Sequence, residues 1–180
     1  MRSFVDLADA VAPEAGVLSL NGDVRDGPMR RFFKRRAEGV YDMEDLETRA
    51  KRLDAFLRAA FETYGIDPVA AVGLGYSNGA NILAHLALRG SDVLPRRVLM
   101  HPLIPHRPEP APDLSALDAL ITAGRRDPIG PEPATAAFAR DLAAYGATVR
   151  TAWHDGGHEV RPEELTAVQA FLAGDAEVRA

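Results

Sequence analysis

The sequence contains no cysteine at any of its 180 positions. A disulfide framework, a cysteine nucleophile and a thiolate metal site are therefore excluded. Cysteine usage gives no information on the compartment, so we take the cytosol as the default expectation.

Long apolar runs and an excess of basic residues are also missing. Uninterrupted hydrophobic stretches are far shorter than the roughly 18 residues that a membrane span needs, and the first residues lack the charged and then apolar order of a secretion signal. The formal net charge is −5, and no basic stripe follows any element. Nucleic acid is not expected as a partner, because such binding depends on neutralising phosphates.

The composition that remains is typical of a globular protein. With 47% hydrophobic residues, the chain is long enough for a sizeable core, and no shift in composition divides it. We expect a single domain over residues 1–180, soluble and cytoplasmic.

Short apolar runs alternate with amphipathic helical patterns along the chain. Strands are predicted over residues 17–20, 69–74, 97–100, 118–124 and 147–153. Helices are predicted over residues 4–11, from Asp42 to Gly65, from Ser77 to Gly90, from 134 to Gly146, and from Pro162 onwards. Residues 23–41 have no clear period and are predicted to form a loop. The alternation predicts crossover connections, and so an α/β fold of three α/β/α layers around a mainly parallel sheet.

The motif Gly75-x-Ser77-x-Gly79 joins a predicted strand to a predicted helix. A serine on such a tight turn needs glycines on both sides, where larger side chains would clash, and this is the nucleophile elbow of serine hydrolases. The first helical residue, Asn78, would offer its backbone N–H to an oxyanion. As a bare pattern the motif is weak, because a plain turn explains many matches. Its position between strand and helix favours the catalytic interpretation.

Two further polar residues follow predicted strands. Asp127 and His158 come after Ser77 in the chain, each in a loop beyond its own strand, which is the order seen in α/β-hydrolases. Because ligands bind at the carboxyl ends of parallel strands, we predict a catalytic triad of Ser77, His158 and Asp127. Asp127 could instead be a turn residue only, and His154 competes with His158.

A metal site is not expected. The spacing of His154 and His158 could suggest a pair of metal ligands, but Gly156 and Gly157 between them argue against the helix that would align the two rings. His85, His101 and His106 show no partner pattern and are interpreted as packed or surface histidines.

Pocket residues are less well marked. Phe32 and Phe33 could form a pocket wall near the serine, with the neighbouring arginines of residues 30–36 available to an anionic substrate group. The alternative, a packed aromatic pair beside a solvated basic face, is favoured. Met100 and Leu103 are weaker candidates for lining the pocket.

Three segments together resemble the small carboxylesterase/phospholipase branch of the α/β-hydrolases. They are Gly75-Tyr76-Ser77-Asn78-Gly79-Ala80-Asn81, Ala123-Gly124-Arg125-Arg126-Asp127-Pro128 and Gly156-Gly157-His158. The stretch from Arg31-Phe32-Phe33 through Gly39-Val40-Tyr41-Asp42 fits the same branch, which contains esterases related to dienelactone hydrolases and hydroquinone-resistance hydrolases. The resemblance covers nearly the whole chain. It implies a Ser77-Asp127-His158 triad, a monomeric or dimeric cytosolic enzyme, and hydrolysis of small carboxylic esters without a cofactor.

The chain departs from this branch at its beginning. Members usually start with a strand that leads into a His-Gly-x-Gly-Gly type loop, which supplies a second oxyanion N–H, and this sequence has neither. Either the coding sequence extends upstream of Met1, which we favour, or the sheet is rearranged or completed by a partner.

The leading hypothesis is a serine ester hydrolase that works through an acyl-enzyme. Two rivals stay open: a non-catalytic or degenerate protein without a complete oxyanion hole, and a hydrolase of thioesters, lysophospholipids or amides. A strict dienelactone hydrolase is disfavoured, because that chemistry uses a cysteine nucleophile.

Overall fold

The structure is a computed structural model that describes residues 4–37 and 39–174. Its first part consists of helix α1 (Phe4–Val11), strands β1 (Val24–Asp26), β2 (Met29–Arg31), β3 (Arg35–Ala37) and β4 (Val40–Tyr41), and helix α2 (Met43–Tyr64). The remainder alternates between strands and helices: β5 (Val72–Tyr76), α3 (Asn78–Leu88), β6 (Arg96–Met100), β7 (Asp118–Gly124), α4 (Glu132–Ala144), β8 (Thr148–His154) and α5 (Pro162–Ala173).

Strands β5 to β8 form one sheet in the order β5-β6-β7-β8, and every neighbouring pair is parallel. Tyr76 at the end of β5 pairs with Met100 at the end of β6, and Gly124 at the end of β7 pairs with His154 at the end of β8. The predicted parallel sheet is confirmed. All four carboxyl ends therefore meet at one edge, where parallel sheets place their ligand sites.

Helices cover both faces of this sheet, which confirms the three-layer α/β/α architecture. Successive strand residues point to opposite faces: Leu99 and Ile121 belong to the core cluster beneath α2, α3 and α4. Val98, Met100 and Leu120 belong to a second cluster beneath α1 and α5. Two separate apolar cores thus hold the central strands in place from both sides.

Local sequence signals set the ends of α2. The side chain of Asp42 accepts a hydrogen bond from the backbone N–H of Asp45, and Gly65 ends the helix in the left-handed conformation at φ 63°. Both residues act as predicted, because capping depends on neighbours a few positions away. None of the helices in the described part of the chain combines the length and the apolar character needed to cross a bilayer.

The predicted strand over residues 17–20 is wrong. This segment has no regular secondary structure, and Val17 and Leu18 are 45% and 43% exposed. A strand exists only where another backbone pairs with it, and among residues 4–37 and 39–174 no strand pairs with this segment or with the outer edge of β5. Apolar composition alone therefore misled the prediction.

The loop predicted over residues 23–41 is also wrong in part. β1 pairs with β2, and β3 pairs with β4, as two short antiparallel hairpins. Each strand has three residues or fewer, which is too short to produce a visible alternation of apolar and polar side chains. Asp26 makes ion pairs to Arg31 and Arg35 and so links the two hairpins.

Candidate active site

Ser77 occupies the sharp turn between β5 and α3. Its backbone has φ 52° and ψ −114°, a sparsely populated conformation that is found where surrounding structure enforces it. A Cβ atom at Gly75 would lie 2.5 Å from the carbonyl carbon of Gly79, so the first glycine of the motif is a steric requirement. The N–H of Ser77 donates to the carbonyl of Met100 at 2.8 Å, which fixes the turn to the neighbouring strand.

The structure brings together the three residues that the sequence singled out. His158 Nε2 lies 2.9 Å from the Ser77 hydroxyl oxygen, and His158 Nδ1 lies 2.6 Å from Asp127 Oδ2. The Asp127 side chain is fully buried, whereas the His158 side chain remains 17% exposed. A hydroxyl, an imidazole and a carboxylate therefore follow one another at hydrogen-bond distance, and the imidazole is open to solvent on one side.

Asp127 is held as a carboxylate by donors on both oxygens. Oδ1 accepts the backbone N–H groups of Ile129 at 2.8 Å and Gly130 at 3.0 Å. Burial alone would raise the pKa of Asp127, but hydrogen bonds from His101, Gly130 and His158 outweigh burial and lower it. The sequence left open that Asp127 is only a turn residue. The N–H groups of that turn, from Ile129 and Gly130, are the same groups that orient its carboxylate.

The loop that carries His158 is anchored by close packing. A Cβ atom at Gly124 would lie 2.1 Å from the Gly157 carbonyl oxygen. The backbones of β7 and this loop are therefore in direct contact, with no room for a side chain between them. The Tyr76 hydroxyl donates to the carbonyl of His158. Burial, followed by the nearby charge of Asp127, raises the pKa of Tyr76 to about 12, so the phenol keeps its proton for this bond.

Sequence reasoning missed a second histidine on the acid. His101 follows β6 directly, and its Nδ1 lies 2.8 Å from Asp127 Oδ2, the same oxygen that contacts His158. His101 is packed, one of the two states expected for it, and in addition it has a partner that the sequence did not reveal. Its position just beyond a strand, the same signal that marked Ser77, could have identified it.

Behind His101 lies a buried carboxylate from α5. Glu164 Oε1 is 3.0 Å from His101 Nε2, and Glu164 Oε2 is 3.3 Å from His154 Nε2. The Oε1 contact lacks hydrogen-bond geometry, so it is a close polar contact without a well-aligned hydrogen bond. His154, which competed with His158 as the base, therefore faces Glu164 and not the serine.

Among the described residues, His101, His154 and Glu164 have ligand atoms close enough to surround a cation. The protons argue against that use, because the Gly156 N–H donates to His154 Nδ1 at 2.9 Å. A neutral imidazole whose Nδ1 accepts must carry its proton on Nε2, the atom that would have to bind a metal. The donor set fits a hydrogen-bonded and ion-paired chain.

A small cavity opens at the serine. It is lined by nine residues: Arg31, Arg35, Tyr41, Ser77, Asn78, Asn81, His101, Leu103 and Ile129. Leu103 thus lies where a pocket residue was predicted. Phe32 is half-buried, and its ring is 3.7 Å from where a Cβ atom of Gly79 would be.

Phe33 and Met100 do not line this cavity. Both are fully buried, and each belongs to a core cluster, Phe33 on one face of the sheet and Met100 on the other. Phe33 packs edge-on against the ring of Tyr41, with 4.9 Å between the ring centres. Their predicted substrate-binding role is corrected to a packing role, because sequence alone did not show which way each side chain points.

Arg31 and Arg35 combine the two interpretations that the sequence left open. Their side chains are 13% and 25% exposed, both contact Asp26, and both line the cavity. They are ion-paired members of the wall, and not a freely solvated face.

The start of α3 lies directly beyond Ser77. Asn78 is the first residue of this helix, so its backbone N–H has no partner within the helix and lies at the positive end of the helix dipole. The Asn78 side chain has a separate task, since its Oδ1 accepts the backbone N–H of Phe32 at 2.7 Å.

Comparisons with known proteins find close relatives. "Putative hydrolase MhqD" of Bacillus subtilis (strain 168) is 38% identical over 163 residues, which cover 91% of this chain and 82% of that protein. A Bacillus cereus carboxylesterase structure superimposes with a TM-score of 0.90 at 36% identity, covering 96% of this chain and 81% of the other. The protein Atu2452 of Agrobacterium tumefaciens str. C58 gives a TM-score of 0.87 at 46% identity, covering 97% and 85%. No family model matches the chain.

Proposed function

The chain belongs to the carboxylesterase/phospholipase-like family of α/β-hydrolases, and from this premise we propose that it hydrolyses small carboxylic esters through Ser77, His158 and Asp127. One observation carries the proposal: a single imidazole lies 2.9 Å from the Ser77 hydroxyl and 2.6 Å from the Asp127 carboxylate. A serine hydroxyl is a weak nucleophile until a neighbouring base accepts its proton, and His158 is placed to accept it.

The first half of the proposed reaction forms an acyl-enzyme. The Ser77 oxygen attacks the ester carbonyl while its proton passes to His158 Nε2, and Asp127 stabilises the imidazolium that forms. The Asn78 N–H faces the oxygen that becomes negatively charged. When the tetrahedral intermediate collapses, the proton moves from His158 to the departing alcohol oxygen, which leaves the acyl group on Ser77.

The second half releases the acid. A water molecule takes the place of the alcohol, gives its proton to His158 and attacks the acyl carbonyl. Collapse breaks the bond to Ser77, and His158 returns the proton to the serine oxygen. No cofactor enters either half, because Ser77 and then water supply the protons and His158 carries them to the alcohol and back to Ser77.

The oxyanion site separates this proposal from its degenerate rival. Loss of one oxyanion donor lowers turnover by about 10²- to 10³-fold, and a triad with the Asn78 N–H as its donor remains a slow hydrolase. The rival predicts no turnover at all in a folded preparation.

Turnover of p-nitrophenyl acetate and p-nitrophenyl butyrate tests the proposal. Ser77→Ala is expected to lower kcat/KM by about 10³-fold or more, because the nucleophile is removed. Ser115→Ala is the matched control, since Ser115 is exposed and lies outside the site. Unchanged ester turnover in Ser77→Ala would refute the assignment of the nucleophile.

A further inference from the structure

Behind the three proposed catalytic residues, a buried chain of polar side chains runs from Asp127 through His101 to Glu164 of α5. Asp127 Oδ2 contacts His101 Nδ1 at 2.8 Å, and His101 Nε2 contacts Glu164 Oε1 at 3.0 Å. All three side chains are at most 1% exposed. One imidazole ring therefore sits between two carboxylates in the interior of the protein.

The protonation of this ring follows from its two contacts. A neutral imidazole has one nitrogen with a lone pair. On Nδ1 the lone pair would face Asp127 Oδ2, and on Nε2 it would face Glu164 Oε1 at 3.0 Å, with His154 Nε2 farther away at 3.5 Å. An imidazolium offers an N–H on both sides. Burial opposes the charge, but the contacts with Glu164 and then Asp127 outweigh it and raise the pKa of His101 above the usual 6.5.

The titratable groups around His101 are the next part of its environment. Five titratable side chains face it from β5, β8, α5 and the loops at the edge of the sheet: Tyr76, His154, Glu164, Asp127 and His158. Of these, only Asp127 and Glu164 are acidic enough to be ionised near neutral pH. The backbone at His101 has φ 51°, so the ring is held in place by a conformation that most residues avoid.

We propose that His101 is a buried imidazolium that ties Asp127 to Glu164, and that it acts as a positioning residue for the acid and as a fixed positive charge beside the base. Its ring centre lies 5.1 Å from that of His158. A positive charge on His101 at this separation opposes a second positive charge on the neighbouring ring, so its removal is expected to change the pH dependence of kcat/KM. This kinetic consequence rests on the proposed function.

The variant His101→Asn removes the positive charge of the ring while a hydrogen bond to Asp127 can still form. An asparagine amide nitrogen can occupy the place of Nδ1 and donate to Asp127, and asparagine tolerates positive φ better than most residues. The variant lacks the positive charge, the contact with Glu164, and the ring contacts with Tyr76, His154 and His158. We expect the acid limb of the pH profile for kcat/KM to move upward by about one pH unit. His106→Asn is the control, because His106 contacts His85 and its loss should leave the limb unmoved.

Nitrogen-15 NMR of the imidazole rings in the intact wild-type protein tests the protonation state without any assay of activity. Across a titration from pH 5 to pH 9, His101 is expected to lose its second ring proton at a higher pH than a free imidazole, whose midpoint is near 6.5, with the signals assigned by their loss in His101→Asn. A midpoint at or below 6.5 overturns the proposal, as does an acid limb that stays within 0.2 pH units of wild type in a folded His101→Asn. If esters are not hydrolysed but the midpoint lies above 6.5, the proposed function fails while the buried imidazolium stands.

Discussion

The Tyr76 hydroxyl donates a hydrogen bond to the backbone carbonyl of His158. Tyr76 is the last residue of β5 and directly precedes Ser77, so one strand end holds both the proposed nucleophile and the loop of its base. The relationship means that the distance between Ser77 and His158 is set by the rigid sheet and not by the loop alone.

Tyr76→Phe tests this anchor. The change leaves a carbonyl without its donor, and we expect the free energy of unfolding to fall by about 1 to 3 kcal/mol. We also expect kcat/KM for p-nitrophenyl acetate to fall about 10-fold, because the imidazole loses its fixed distance to the serine. Urea unfolding and initial rates measure the two effects. Tyr64→Phe is the control, since Tyr64 is 70% exposed, and equal behaviour of the two variants would contradict the anchor.

Gly75→Ala tests the steric requirement of the turn. The added Cβ atom would lie 2.5 Å from the carbonyl carbon of Gly79, and a backbone group cannot move aside as a side chain can. We expect a loss of about 3 kcal/mol in the free energy of unfolding, together with loss of ester turnover. Gly16→Ala is the matched control, because nothing lies within 4 Å of the Cβ position there. If Gly75→Ala is as stable and active as Gly16→Ala, the elbow geometry is wrong.

The sequence predicts well those features that depend on a motif or on residues a few positions apart, such as strand ends and helix caps. The carboxyl ends of parallel strands share one edge whatever the details of the helices, so residues just beyond strands, such as Ser77 and Asp127, are expected to meet. Asp42 and Gly65 are recognisable as the ends of α2 because capping involves neighbours within a few positions.

Contacts between distant parts of the chain account for what sequence reasoning misses. His101 contacts Asp127, which is 26 positions away in the chain. Glu164 lies in the first turn of α5, and nothing in the sequence of that helix indicates its contact with His101. Residues 17–20 have the apolar composition of a strand, yet a strand also needs a pairing partner. Phe33 and Met100 are wrongly predicted in a pocket because sequence does not reveal which face of an element a side chain occupies.

The dependence of stability on pH gives a prediction that needs no substrate. The pKa of His101 in the folded protein is raised above 6.5, so the folded state binds a proton more tightly than the unfolded chain does. Its contribution to stability is complete below pH 6.5 and is lost as the pH rises through the folded-state pKa. We expect the difference in free energy of unfolding between wild type and His101→Asn, measured by urea unfolding, to shrink from pH 6 to pH 9. A constant difference would contradict the raised pKa.

Asn78→Ala separates the two tasks of this residue. The proposed oxyanion donor is the backbone N–H, which alanine retains, whereas the side chain holds the backbone of Phe32 beside the cavity. We expect KM to rise about 10-fold while kcat stays within about threefold of the wild-type value, because binding is loosened and chemistry is kept. Asn21→Ala, at an exposed position, is the control. If turnover at saturating substrate instead fell by about two orders of magnitude, the side chain itself would take part in the chemistry.

The most direct test of the central claim is the intact mass of the protein after exposure to a fluorophosphonate, with circular dichroism of the same sample as a check of folding. This reagent attaches covalently to an activated serine, so it reports on the nucleophile whatever the natural ester is. The account predicts one adduct per chain that maps to Ser77 and disappears in Ser77→Ala. A folded wild-type protein without an adduct, or an adduct that persists in Ser77→Ala, would contradict it.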